Sequence, residues 1–376
     1  MMATFPFPGL ADLPQGSIAT VFGTRPEIIK LAGIIELLGE KALTMYSGQH
    51  FDQRLSDIFF DELRLPPPDV MLAVGARRRG QQIGELVLRL EERFAAQRPA
   101  AVVVQGDTNT ALGGALAANT LDIPLIHVEA GLRSFDRRMP EEHNRVMVDH
   151  LADLCLAPTE QSRKNLLEEG VPGVRIAVTG NTVVDVATRL LPSRSARASL
   201  LESMGLQAEA FVLATFHRPE NVDDPDRLGA VLDHLATLDL PVLFPLHPRT
   251  RQRIDAFGLR GRTGRIDMVE PLGYTAFLSL AAECAFLVSD SGGVQEESSI
   301  VKRPAIIVRR SSDRPEVLGT FAELVPSVDD FPDVARKLLE DLDQRHRRLA
   351  DLPSPYGDGH ASVRCVREIV STVIGG

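Results

Sequence analysis

The amino-acid sequence predicts an α/β protein built of two doubly wound domains in series. Three observations carry that expectation. Short, β-branched apolar runs alternate with helical stretches. The pattern stops at a polar stretch, PSRSARAS (192–199), and then restarts. Many of the apolar runs end in polar clusters: FGTRPE, SGQH, QGDTNT, HVEAGLR, TFHRPEN, PLHPR and SDSGG. Short buried runs separated by helices signal parallel sheets, and 376 residues exceed what one core usually holds. Ligands of open α/β sheets bind beyond the carboxyl ends of the strands, so the clusters predict a site in a cleft between the two domains.

The elements follow in order. SIATVFG (17–23) reads as a buried strand, and Arg25-Pro26-Glu27 opens the helix IIKLAGIIELL with proline in its first turn. LTMYSG (43–48), a short DVML (69–72), AVVVQGD (101–107), PLIHVEA (124–130), LCLAP (154–158) and RIAVTG (175–180) complete the first set of strands. The second set is FVLATFH (211–217), PVLFPLH (241–247), RIDMVEP (265–271), AFLVSD (285–290) and PAIIVRR (304–310). The expected domains are residues 1–185 and 186–358, with a last helix, 359–376, free to pack back on the first.

Composition narrows the function. A formal net charge of −10 argues against general nucleic-acid binding, though local arginines and helix N-termini can still hold an anion. Cys155, Cys284 and Cys365 are far apart and show no CxxC spacing, so neither a zinc site nor a disulfide framework is expected. The opening residues lack a signal-peptide pattern, and no run of about 18 apolar residues exists to span a membrane. The expectation is a cytoplasmic enzyme with no metal and no cofactor. GxGxxG is absent from the first strand-to-helix turn, which lowers a dehydrogenase reading.

Several clusters carry chemistry. In SDSGGVQEE (289–297), Ser291, Gly292 and Gly293 form a turn into a helix beginning near Val294, and free N–H groups at a helix start favour phosphate. Glu296 and Glu297, one turn on, suit ribose hydroxyls; an ordinary strand–helix turn is the plain alternative. FGTRPE places Arg25, which can grip phosphate bidentately, with Lys30 about one and a half turns later; a capping turn with solvated charges competes. Asp107, Glu129 and Glu141 come from neighbouring strand ends and a helix start. Asp107 could equally be an N-cap and Glu141 a partner of the helix dipole. A carboxylate ending an apolar strand, as Glu129 does, needs a partner. Arg133, beyond Gly131, is expected at the same ligand. His127 and Glu129, two apart, are expected to face the same side of their strand. His217 with Arg218, and His247 with Arg249, make a basic lip. Arg77, Arg78 and Arg79 read as a solvated loop.

Taken together, FGTRPEIIK, GQH, GDTNTALGGALAA, HVEAGLRS, MPEEHNR, APTE, TGNTVVD, HRPEN, SDSGGVQEE, DRPEV and PYGDG, in this order, resemble the non-hydrolysing UDP-N-acetylglucosamine 2-epimerases from about residue 17 to the last helix. The resemblance implies two Rossmann-like domains of the GT-B type and a homodimer. It implies reversible conversion of UDP-GlcNAc to UDP-ManNAc through 2-acetamidoglucal, for surface polysaccharide. It puts catalytic roles on Asp107, Glu129, Glu141 and His217. It puts UDP contacts on Arg25, Lys30, Ser291, Gly292, Gly293, Glu297 and Arg314, with Phe277 near the uracil. A second, activating nucleotide-sugar site would fall on Gln49, Arg218 and His247. Two positions depart from the family pattern: Leu272 replaces a glutamine beside the uracil, and Asp52 replaces an amide in the second site. An acidic Asp52 beside a pyrophosphate argues against activation. The competing readings are a hydrolysing epimerase, an epimerase of a modified UDP-sugar, a GT-B glycosyltransferase and a non-catalytic sensor.

Overall fold

The computed structural model describes residues 7–48, 60–75 and 77–375. The chain forms two compact units, residues 1–186 with 356–376, and residues 187–355. Each is organised around one parallel sheet.

The first sheet has the order β3-β2-β1-β4-β5-β6-β7. Its strands are Ile18–Phe22, Ala42–Tyr46, Val70–Met71, Ala101–Gln105, Leu125–Val128, Leu154–Ala157 and Ile176–Val178, numbered β1 to β7 along the chain. The central strands β1, β4, β5 and β6 are buried at every position. Helices cover both faces of such a sheet, so its strands carry no polar alternation. Chain order reverses where β1 lies between β2 and β4, and a doubly wound sheet opens a ligand crevice at such a reversal.

Small residues let the helix Asn109–Thr120 press onto that point. A Cβ on Gly114 would come within 2.9 Å of Val104, and one on Gly113 within 2.7 Å of Leu86. Gly114 therefore sets a close helix–sheet distance, and Gly113 a close approach to the helix Arg79–Ala96. The last helix, Ala361–Gly375, belongs to the first unit and packs on the helix Arg25–Leu38. Asp185 accepts hydrogen bonds from Ala361 N (3.1 Å) and Ser362 N (2.6 Å) at its start, satisfying two of the amides a helix start leaves open. Gly33 admits the contact, since a Cβ there would lie 2.3 Å from Ser362 Oγ.

The second sheet has the order β10-β9-β8-β11-β12-β13. Its strands are Val212–Thr215, Val242–Pro245, Ile266–Val269, Phe286–Ser289, Ala305–Val308 and Ala322–Val325, numbered β8 to β13. The order again reverses around β8, which pairs with β9 and β11. Phe216, Phe244, Phe286 and Phe331 belong to the core on this sheet. The edge strand β13 was not among the expected strands. Among the described residues, no helix is long and apolar enough to cross a membrane.

Candidate active site

In the first unit the polar residues gather at the carboxyl ends of β1, β4 and β5. Glu129 lies one residue past β5 with φ +68°, a left-handed conformation that costs a non-glycine residue about 1–3 kcal/mol. That twist takes Glu129 out of the strand's alternation, so it does not share a direction with His127 as its spacing predicted. Its carboxylate accepts from Lys30 Nζ at 2.7 and 2.6 Å and from Gln105 Nε2. The pair is nearly sealed from solvent. His127 points elsewhere: Nδ1 lies 2.6 Å from Asp149 Oδ1 and Nε2 2.8 Å from Gly106 O.

Asp107 follows Gly106, whose φ is +69°. The N-cap of the next helix is Thr108, whose hydroxyl accepts from Ala111 N, so Asp107 does not spend its carboxylate on capping. Arg145 Nη2 pairs with that carboxylate, and Asn144 Nδ2 donates to Asp107 O at 2.8 Å. Arg145 Nη1 also holds Glu142 at 3.0 Å. Glu141 stands half-buried in the first turn of the same helix, Pro140–Leu151.

Glu27 is the least expected member. It sits in the first turn of the helix Arg25–Leu38 and is 1% exposed. It accepts from Thr24 Oγ1 (2.7 Å), Gly23 N (3.1 Å) and Thr108 Oγ1 (2.7 Å), which ties the Arg25 turn to the Asp107 turn. Burial, only partly offset by these donors, pushes its carboxyl up to about 7. Arg133 is 3% exposed and spends its guanidinium on Glu169 and on Asp149, at 2.5 and 2.7 Å for Nη2. Arg79 is not in a loop: it opens the helix Arg79–Ala96 and donates to Asn144 Oδ1 at 2.6 Å.

In the second unit Asp290, fully buried past β11, organises the turn that follows β8. It accepts from His217 N (3.1 Å), Arg218 N (3.0 Å) and Asn221 Nδ2 (3.0 Å), and His217 Nδ1 lies 3.3 Å from Oδ1. Desolvation depresses the His217 pKa below its ordinary value; Asp290 pulls the other way, and Arg218, Arg309 and Arg249 add to the depression. The His217 and His247 rings are 5.7 Å apart. Arg249 is held by Asp223.

The helix expected near Val294 begins at Gly292, with Ser291 as N-cap. A Cβ on Gly292 would lie 3.1 Å from the Arg314 guanidinium, so glycine lets that cation rest on the helix start. Glu296 does not face outward; it accepts from Arg314 Nε at 2.9 Å. Asp313 bridges Arg314 and the buried Arg309. Glu297 is buried, close to the Tyr274 hydroxyl, and its charge helps raise the tyrosine pKa after burial itself. Phe277 and Leu272 are half-buried. Gln49 and Asp52 lie outside the described residues, and with them the second-site expectation.

Two parallel sheets with interleaved helices, one edged by buried carboxylates and one by a glycine-opened helix start, define a protein of the GT-B class. The family model for UDP-N-acetylglucosamine 2-epimerase matches residues 40–370. The UDP-N-acetylglucosamine 2-epimerase of Methanocaldococcus jannaschii is 38% identical over 364 residues, 93% of this chain and 98% of that protein. The UDP-2,3-diacetamido-2,3-dideoxy-D-glucuronate 2-epimerase of Pseudomonas aeruginosa is 35% identical over 358 residues, 92% of this chain and 97% of that one. The crystal structure of the M. jannaschii enzyme in complex with UDP-GlcNAc and UDP superposes with a TM-score of 0.85 at 37% identity, over 94% of this chain and 99% of that one. The chain belongs to the UDP-N-acetylglucosamine 2-epimerase family.

Proposed function

We propose that this chain interconverts UDP-GlcNAc and UDP-ManNAc by inverting the second sugar carbon without hydrolysis. The observation that carries the reading is the pair of carboxylates at adjacent strand ends, Glu129 on Lys30 and Asp107 on Arg145. Each carboxylate is held in place by a cation, and a carboxylate so placed can serve as a general base.

The proton on the second carbon is not acidic alone. It can leave when the bond from the first carbon to the UDP oxygen breaks in the same process. One carboxylate among Asp107, Glu129 and Glu141 takes the proton, UDP departs with the bonding electrons, and 2-acetamidoglucal forms. Return of UDP to the first carbon, with protonation of the second from the opposite face by another group, gives the epimer. Inversion therefore needs more than one acid–base group. Arg25, His217 and the amides at Ser291, Gly292 and Gly293 stabilise the departing diphosphate, with Arg314 resting on that helix start and Phe277 beside the base. With its guanidinium committed to Asp149 and Glu169, Arg133 supports the Glu129 turn rather than the ligand.

The P. aeruginosa relative, at 35% identity, favours a second reading in which the sugar carries further substituents. Incubation with UDP-GlcNAc in deuterated water, followed by NMR, tests both. UDP-ManNAc and UDP-GlcNAc labelled at the second carbon support the proposal. Free ManNAc supports a hydrolysing enzyme. Inertness towards UDP-GlcNAc with turnover of the diacetamido uronic acid nucleotide supports the second reading.

A further inference from the structure

One residue joins the two turns that carry Asp107 and Glu129. Asp149 lies on the helix Pro140–Leu151, whose first turn carries Glu141, and is fully buried. Its Oδ1 is 2.6 Å from His127 Nδ1, and His127 Nε2 reaches Gly106 O at 2.8 Å. A carbonyl oxygen only accepts, so Nε2 carries a proton and the ring links Asp149 to the peptide just before Asp107. Asp149 Oδ2 accepts from Gly131 N (3.2 Å) and from Arg133 Nη2 (2.7 Å), which fixes the turn just after Glu129. That turn has no slack. Glu129 and Gly131 have φ +68° and +82°, and a Cβ on Gly131 would lie 2.3 Å from Ser162 O.

We propose that Asp149 is a positioning residue that sets the Asp107 and Glu129 turns in register with each other, one oxygen serving each turn. The inference rests on the reading of those carboxylates as the proton-transfer groups. The network leaves neither carboxylate oxygen of Asp149 unused, and such fully bonded buried networks hold one arrangement rigidly. Burial pushes the Asp149 carboxyl up, but His127 and Arg133 more than offset it and hold it below the usual range. With Gly131 N and Arg133 donating to it, Oδ2 is an acceptor whichever partner holds the proton shared between Oδ1 and His127 Nδ1.

The test is Asp149→Leu in the full chain. Leucine keeps roughly the volume and offers no hydrogen-bonding atom to either turn. Because a misplacement of about 1 Å can cost about 100-fold in rate, kcat should fall by about that factor while KM and UDP affinity by calorimetry stay within about threefold. His127→Gln, whose amide cannot span Asp149 and Gly106 O together, should give the same split. The double variant should lose no more than the worse single one. Unchanged kcat in either folded variant, parallel loss of UDP affinity, or losses that multiply in the double variant overturns the inference. Where Asp149→Leu does not fold, His127→Gln decides by the same criteria. Absence of label at the second carbon with the wild-type chain rejects the epimerase reading and this inference with it. Wild-type labelling alongside wild-type kcat in the variants rejects the inference alone.

Discussion

Lys30 and Glu129 are 99 residues apart in sequence, yet the lysine ammonium straddles the carboxylate at 2.7 and 2.6 Å in a site closed to solvent. Such a pair is not a gain in stability over apolar residues, because both charges lose water; what it makes costly is losing one partner. Lys30→Met should therefore destabilise the chain by about 3–5 kcal/mol, read from urea unfolding. Lys30→Met combined with Glu129→Gln should recover part of that loss, since no buried charge is then stranded. A double variant no more stable than Lys30→Met would contradict this.

Asp107→Asn and Glu129→Gln keep shape and remove basicity. Each should lower epimerisation by at least about 100-fold, the usual worth of a general acid or base, with UDP binding nearly unchanged. Near-normal turnover in both would remove these residues from the mechanism.

Glu27 gives stability a pH dependence of unusual sign. Its carboxyl is raised from 4.5 to about 7 in the folded chain, so between those values the native state holds a proton that the unfolded state has lost. Stability contributed by this group is full below the lower value and falls as pH rises through the upper one. A shift of that size corresponds to on the order of 3 kcal/mol. Urea unfolding at pH 5 and pH 8 should show the decline, and Glu27→Gln, which cannot ionise, should flatten it.

His217 should titrate below the ordinary histidine value, because desolvation and the neighbouring arginines oppose its charge more than Asp290 favours it. Asp290→Asn removes the carboxylate that favours the cation, so the NMR titration midpoint should move lower still. An upward movement would show that the site is dominated by something other than these charges.

The three cysteines are free and buried. Burial raises all three thiols, Cys284 and Cys365 to about 12, and thiolate is the reactive form. A thiol reagent should label none of them in the native chain, with labelling appearing only across the unfolding transition. Prompt reaction in buffer would contradict the burial.

The apolar runs were legible because a parallel strand covered on both faces advertises itself by composition alone. The strand Ala322–Val325 escaped because it pairs on one side only, with β12, and includes the half-buried Glu323. The expected strands run one or two residues past the observed carboxyl ends. Asp107 and Glu129 were visible as carboxylates ending apolar runs. Glu27 is inconspicuous in FGTRPE beside Arg25, because nothing local shows that Thr108, 81 residues away, closes over it.

By itself the sequence determined the two α/β units and the strand-end placement of Asp107, Glu129, His217 and the Ser291–Gly293 turn. These depend on local periodicity and on which residues tolerate a turn. Tertiary structure alone decided the partners: Lys30 for Glu129, Arg145 for Asp107, Arg314 for Glu296, and Asp149 for the two turns it joins. A buried charge is defined by what lies across from it, and that exists only once strands distant in sequence have been brought side by side.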